Sequence, residues 1–326
     1  MTSFSSVSSH YSIIPWCEKY RPKQFTDIVL EENNRIIFQN ILQKKRFPHL
    51  LFYGPPGVGK TTSAENLINT YQDMHYKRNK ETIMHLNASD ERGIEVIRNQ
   101  IHMFVKCNNM FEEGYKFVIL DEVDYMTKNA QQALKNLLQS CGDNVRFCLI
   151  CNYICKIDES LKNEFICIRF NQLPVEKTHE YIRNIAVQEN ITIDDDVIYN
   201  IQTMYNSDVR SMVNFLQLHQ VEKNWNDFIY DDELWRELYE LFINKKSVPD
   251  DIFKWIQCNT SQGNNMDIKT CIERYFHYLI TKKKETICPE LLDIGEDLLH
   301  PVNTHEYMKP YFVHKLYKLH RSKRKR

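Results

Sequence analysis

The sequence predicts an α/β fold with a largely parallel sheet, followed by a part that is helical throughout. Three observations lead there. The glycine-rich stretch GPPGVGKTT, residues 54–62, lies between a short apolar run (PHLLFY, 48–53) and a segment with helical spacing (TTSAENLINTYQ). Further apolar runs then alternate with helical patterns up to about residue 170. From Pro174 onward the strand signals stop.

The run at 48–53 is read as a buried strand feeding the glycine loop, and the segment after it as the helix such a loop must open. Strands are predicted next at 82–86 (TIMHL), 116–121 (KFVILD), 145–151 (VRFCLIC) and 166–170 (ICIRF), with helices at 93–106 and 128–140 between them. Strands alternating with helices imply a sheet covered on both faces. Residues 175–219 carry three helical stretches, the last (SDVRSMVNFLQLHQ) with Ser207 as its expected N-cap. From about residue 230 the stretches DDELWRELYELFIN, PDDIFKWIQ and MDIKTCIERYFHYLITKKK follow. Gly263-Asn264-Asn265 and Cys288-Pro289 punctuate them. The expected division is a disordered leader at 1–14, an ATPase domain at 15–173, helical domains at 174–226 and 227–318, and a basic tail at 319–326. That tail, HRSKRKR, reads as a solvated frayed end.

Composition narrows the function. With 326 residues, 42% apolar and 26% charged, the chain is an ordinary globular protein of two or three domains. Its net charge of −1 gives no global positive field, so any nucleic-acid contact must come from a local basic surface. No run of about 18 apolar residues points to a membrane span. The polar start MTSFSSVSSHYS has no apolar core of a secretory signal, so an intracellular, reducing compartment is expected. Ten cysteines include Cys148 and Cys151 on one predicted strand. Residues three apart on a strand face opposite sides, which favours buried thiols over a shared metal.

The loop fits G-x-x-x-x-G-K-[ST] through Gly54, Pro55, Pro56, Gly57, Val58, Gly59, Lys60, Thr61 and Thr62. Its backbone N–H groups wrap phosphates at a helix start; Lys60 neutralises the outer ones and Thr61 holds Mg²⁺. ATP and Mg²⁺ are therefore the expected ligands. In FVILDEVD, four apolar residues deliver Asp121 to the carboxyl end of a strand, where α/β sheets bind ligands. Asp121 is expected at the Mg²⁺ and Glu122 as the group that polarises an attacking water. Asn152 ends the next strand (CLICNY), placed either to orient that water or for turn chemistry. Arg210, in SDVRSMVNFLQ, is either a solvated charge or a phosphate ligand brought in by the helical domain.

Beyond these single motifs, PWCEKYRPKQFTDIV, PHLLFYGPPGVGKTT, LNASDERGIEVIRNQI, ILDEVD, VRFCLICNY and SDVRSMVNFLQ, in this order, resemble a small subunit of replication factor C, the AAA+ clamp loader of eukaryotes, archaea and some large DNA viruses. The resemblance spans residues 15 to about 217, and LNASDERGI is its most specific part. It implies an AAA+ P-loop core with a helical lid and a helical collar. It also implies a five-subunit ring that opens a sliding clamp and loads it on primer–template DNA, in a nucleus or at a viral replication site. By the same resemblance Tyr20, Arg21 and Pro22 line the adenine pocket. Asp90, Glu91, Arg92 and Gly93 start a helix whose Arg98 faces DNA phosphates, unless Arg98 is one more surface charge. Met103, Phe104, Met110 and Phe111 are either clamp anchors or, for the first two, core packing.

Two departures stand out. The family's trans-acting arginine belongs to a Ser-Arg-Cys triplet; here the aligned residues are Asn163-Glu164-Phe165, so Glu164 marks a lost finger position. Where the family tends to carry two arginines, this chain has Lys135 and Asn136. Arg169, five residues after Glu164, is the nearest substitute, though its place in a strand favours a structural role.

Overall fold

The computed structural model describes residues 14–89, 94–106, 114–221, 225, 232–244, 246–261, 267–299 and 305–322. The chain forms two compact units, Met1–Val221 and Glu222–Arg326.

In the first unit a short helix α1 (Trp16–Lys19) and helix α2 (Glu32–Gln43) precede strand β1 (Leu50–Tyr53). Helix α3 (Lys60–His75), strand β2 (Ile83–Asn87), helix α4 (Ile94–Lys106), strand β3 (Lys116–Asp121), helix α5 (Lys128–Ser140) and strand β4 (Val145–Cys151) follow. The short helix α6 (Glu159–Lys162) and strand β5 (Ile166–Arg169) complete the sheet. Every strand pair is parallel, in the order β2-β3-β4-β1-β5. The strands β1, β3 and β4 read as continuous apolar runs because both of their faces are covered. On one face Leu50, Phe52, Ile119, Cys148 and Ile150 pack against Phe38, Leu67 and Tyr71 of α2 and α3. On the other, Leu51, Val118, Leu120, Leu149 and Cys151 pack against Leu134 and Leu137 of α5. Cys148 and Cys151 thus lie on opposite faces, both buried free thiols, and burial raises the pKa of each, Cys151 to about 12.

Helices α7 (Val175–Gln188), α8 (Asp195–Tyr205) and α9 (Val209–Leu218) finish this unit. The N-cap of α9 is Asp208, whose carboxylate accepts from Ser211 N–H at 3.1 Å. Ser207, expected in that role, is buried, and its hydroxyl accepts from Leu173 N–H at 3.0 Å. The distant Leu173 N–H engages the Ser207 hydroxyl, which leaves the cap to Asp208, one residue downstream.

One side chain fastens the loops at the carboxyl edge of the sheet. Gln131 of α5, only 1% exposed, donates to the carbonyls of Met126 and Lys156 at 3.2 and 3.1 Å and accepts from Asp158 N–H at 2.7 Å. The segments following β3 and β4 are thereby joined.

The second unit holds α10 (Asp232–Ile243), α11 (Pro249–Ser261), α12 (Ile268–Lys282), α13 (Pro289–Leu299) and α14 (His305–Ser322). Trp235, Phe242, Ile256, Tyr275, Leu291 and Phe312 form its core. Proline opens α11 and α13, where its missing N–H costs nothing. The basic run begins inside α14 rather than as a frayed end: His320 is buried and Arg321 donates to the Ser247 carbonyl at 3.2 Å. Among the described residues, no helix is long and apolar enough to cross a membrane.

Candidate functional site

The glycine loop turns sharply at three residues with positive φ, Gly54 (+148°), Gly57 (+71°) and Gly59 (+83°), and α3 starts directly behind it. Lys60 is the first residue of α3 and is 7% exposed. Its ammonium donates to the carbonyls of Gly54 and Pro55 and to Asn152 Oδ1, each at 2.8 Å. Burial lowers its pKa and the Arg210 charge adds to this, while Asp121, Cys151 and Asp124 oppose it. Next to it the Thr61 hydroxyl donates to Asp121 Oδ2 at 2.6 Å. Asp121 Oδ1 accepts from Glu122 N–H at 2.8 Å, and Glu122 takes a left-handed conformation (φ 57°) that turns the chain at the end of β3. Strained non-glycine backbone of this kind collects at functional sites.

These groups face one cavity of about 280 Å³. Residues 56–62 form its floor, Asp121, Glu122 and Asn152 one wall, and Arg210 of α9 reaches in from the helical part. Arg21 and Pro22 form the far end, together with Ile28, Val29, Cys17 and Tyr181, which sequence reading missed. No spacing rule marks that group, because the residues come from three separate segments. Tyr20 does not line the cavity. Its phenol donates to Glu189 at 2.6 Å, and its carbonyl accepts from the Tyr181 hydroxyl at 2.8 Å. Arg21 donates through Nε to Thr62 Oγ1 at 3.0 Å and pairs with Glu65 at 2.8 Å. Burial opposes ionisation of Glu65, but the His85 hydrogen bond and the Arg21 charge outweigh it and hold its carboxyl below the usual range.

Other expected residues fall elsewhere. The side chain of Arg98, on α4, lies outside the described residues, as do 90–93, Met110 and Phe111. Met103 is 62% exposed, whereas Phe104 packs against the sheet core. Glu164 is exposed and accepts from Gln139 at 3.2 Å. Among the described residues, no cluster of His, Cys, Asp and Glu has the makings of a metal centre.

Residues 50–172 match the family model described as ATPase family associated with various cellular activities (AAA). They include the loop and the walls carrying Asp121, Glu122 and Asn152. The chain is also similar to replication factor C subunit 5 of Mus musculus. The two are 38% identical over 208 residues, 63% of this chain and 60% of the relative. It is also similar to replication factor C small subunit 2 of Pyrobaculum islandicum, at 40% identity over 203 residues, 62% of each chain. The matched part thus spans about three fifths of these relatives' own length. Among solved structures, the RuvB Holliday junction branch migration motor of Thermotoga maritima gives a TM-score of 0.51 at 15% identity, over 90% of this chain and 91% of that one. At that identity the likeness extends to the fold alone.

Proposed function

We propose that the chain is an ATP-hydrolysing subunit of a clamp-loader ring, which opens a sliding clamp and places it on primer–template DNA. The observation that carries the catalytic part is the convergence of Lys60, Thr61, Asp121, Glu122, Asn152 and Arg210 on one cleft. The similarity to replication factor C subunits supports the choice of clamp loading among the uses of such a cleft.

In this reading the loop N–H groups and Lys60 cradle the triphosphate. Arg210 adds positive charge from the lid, and Arg21, Pro22 and Tyr181 enclose the base. Glu122 accepts the proton of the attacking water and Asn152 orients that water. Thr61 and Asp121 bring a hydroxyl and a carboxylate within 2.6 Å of each other, hard oxygen donors that suit Mg²⁺. When bound, Mg²⁺ supplies charge neutralisation at the phosphates. Near-neutral overall charge is compatible with DNA binding through phosphate contacts on a local surface, which read duplex shape rather than sequence.

Glu164, at the position that would serve a neighbour's site, marks the chain as specialised and leaves a second reading, in which it binds ATP and stabilises the ring without turnover, although the intact Glu122 argues against it. Reconstitution separates the two: turnover is measured for the ring with clamp and primer–template DNA, with wild type against Glu122→Gln in this subunit alone. Loss of turnover assigns hydrolysis to this chain, and unchanged turnover assigns it to ring stabilisation. Native mass spectrometry of the assembly reports the partner subunits, and failure to assemble with any clamp-loader subunit refutes both.

A further inference from the structure

Two glycines of the loop are gripped by different parts of the first unit. A Cβ on Gly54 would stand 2.1 Å from the carbonyl oxygen of Phe170, just past β5. A Cβ on Gly57 would stand 1.8 Å from Asp208 Oδ1 and 2.9 Å from Asp208 Cα. The bare Cα of Gly57 therefore forms a notch into which the first residues of α9 fit. Asp208 is held there firmly: Oδ1 accepts from Ser211 N–H and Oδ2 from the Ser211 hydroxyl, at 3.1 and 2.8 Å. The bond from Leu173 N–H to buried Ser207 ties the same corner to the segment leaving the sheet. Arg210 lies two residues beyond Asp208 and lines the cleft.

We propose that Asp208 is a positioning residue for Arg210, its carboxylate seated in the Gly57 notch so that the phosphate loop and α9 move as one body. Ordering of the loop around phosphates is then passed directly to the arginine. This rests on the nucleotide-site reading above. Helix capping alone does not account for the arrangement. Ser, Thr, Asn and Asp serve nearly alike at an N-cap, and capping makes no demand that the facing residue be glycine. The negative charge of Asp208 favours the start of a helix but is unfavourable beside a phosphate site, where like charges repel. Close packing between cap and loop does demand both a side chain of this length and a glycine opposite it.

The test uses the full-length chain and the affinity for a fluorescent ATP analogue, with Arg210→Ala introduced into several backgrounds. Asp208→Ser keeps a capping oxygen but is too short to fill the notch; Asp208→Asn keeps both cap and shape. In the unaltered chain and in Asp208→Asn, Arg210→Ala is expected to weaken binding by about tenfold, a coupling of the size seen between contacting residues. In Asp208→Ser the same substitution is expected to cost less than about twofold, because Arg210 is no longer held at the cleft. Gly57→Ala, which fills the notch from the other side, is expected to abolish the Arg210 dependence in the same way. It serves as the independent route if Asp208→Ser does not fold. Equal losses from Arg210→Ala in every background overturn the inference and leave Asp208 as a simple cap. Absence of analogue binding by the unaltered chain overturns the nucleotide-site reading and this inference with it.

Discussion

Lys60 Nζ donates to Asn152 Oδ1 at 2.8 Å, which links the first residue of α3 to the residue just past β4 across the mouth of the phosphate loop. The two groups also have separable duties in the proposed chemistry. Lys60→Ala removes the charge next to the outer phosphates and is expected to abolish measurable nucleotide binding. Asn152→Ala is expected to leave binding within a few-fold and to lower turnover on the order of 10²-fold, as for loss of a positioned polar group. Equilibrium binding and single-turnover hydrolysis in the assembled ring distinguish the two.

Glu122→Gln keeps the size and the left-handed backbone of the residue but removes its basicity. Binding is expected to persist while hydrolysis falls by about 10² to 10⁴-fold, the usual contribution of a general base. Equal turnover in variant and wild type would remove Glu122 from the mechanism.

Glu164 predicts a chain that receives help but gives none. An arginine from a neighbouring subunit is worth on the order of 10³ to 10⁵ in phosphoryl transfer, and a carboxylate in its place repels the triphosphate. A ring of this chain alone should therefore hydrolyse ATP poorly, and Glu164→Arg should accelerate it. Glu164 is exposed and its carboxylate accepts from Gln139 at 3.2 Å, so the substitution is expected to leave folding intact. Fast hydrolysis by the unaltered chain alone defeats the idea, and Arg169→Ala in the same assay tests the substitute.

His49 makes stability depend on pH. Burial holds its pKa below the ordinary 6.5 and the Arg146 charge adds to this, while Glu164 pulls it upward. Its Nδ1 accepts from Phe147 N–H at 3.1 Å, a bond that the neutral ring provides. The unfolded chain takes up a proton that the folded chain resists. Stability is therefore full above 6.5 and falls as the pH drops through 6.5 toward the lowered value. Melting curves between about pH 5 and pH 8 should show this slope, and His49→Asn should flatten it.

Gly54→Ala should be among the most damaging single changes in the loop. The new methyl would meet the Phe170 carbonyl at 2.1 Å, and φ is +148°, which side chains rarely adopt. A loss of about 2 to 4 kcal/mol is expected from steric conflict and backbone strain together. Urea denaturation measures it, and a loss below about 1 kcal/mol would show that the β5 end yields.

Much of this site was legible because its residues announce themselves locally. Lys60, Thr61, Asp121 and Asn152 each sit at the end of an apolar run or inside a glycine pattern, and a parallel sheet brings such ends to one edge. The far end of the cleft was legible only at Arg21 and Pro22, through the family resemblance. Ile28, Val29 and Tyr181 meet only in three dimensions, and Tyr20 points its phenol at Glu189 instead. Helix α2, ENNRIIFQNILQ, was also missed, since its buried stripe includes the polar Asn34 beside Phe38, Ile41 and Leu42, while Ile36 and Ile37 lie exposed off the stripe. The Ser207 cap failed for a similar reason, because a partner at Leu173 lies far away in sequence.

Gln131 has a consequence for how such a surface changes over generations. Its one amide satisfies three backbone groups of two separate loops, so much of their shape is set from beneath. Tyr125 and Tyr153, 61% and 58% exposed at the rim, share the Lys156 ammonium, at 5.3 and 5.1 Å from their rings, and stand outside that buried frame. The outer chemistry at the catalytic edge is free to drift, acquiring new specificities by single substitutions, while the machinery beneath it keeps its dimensions.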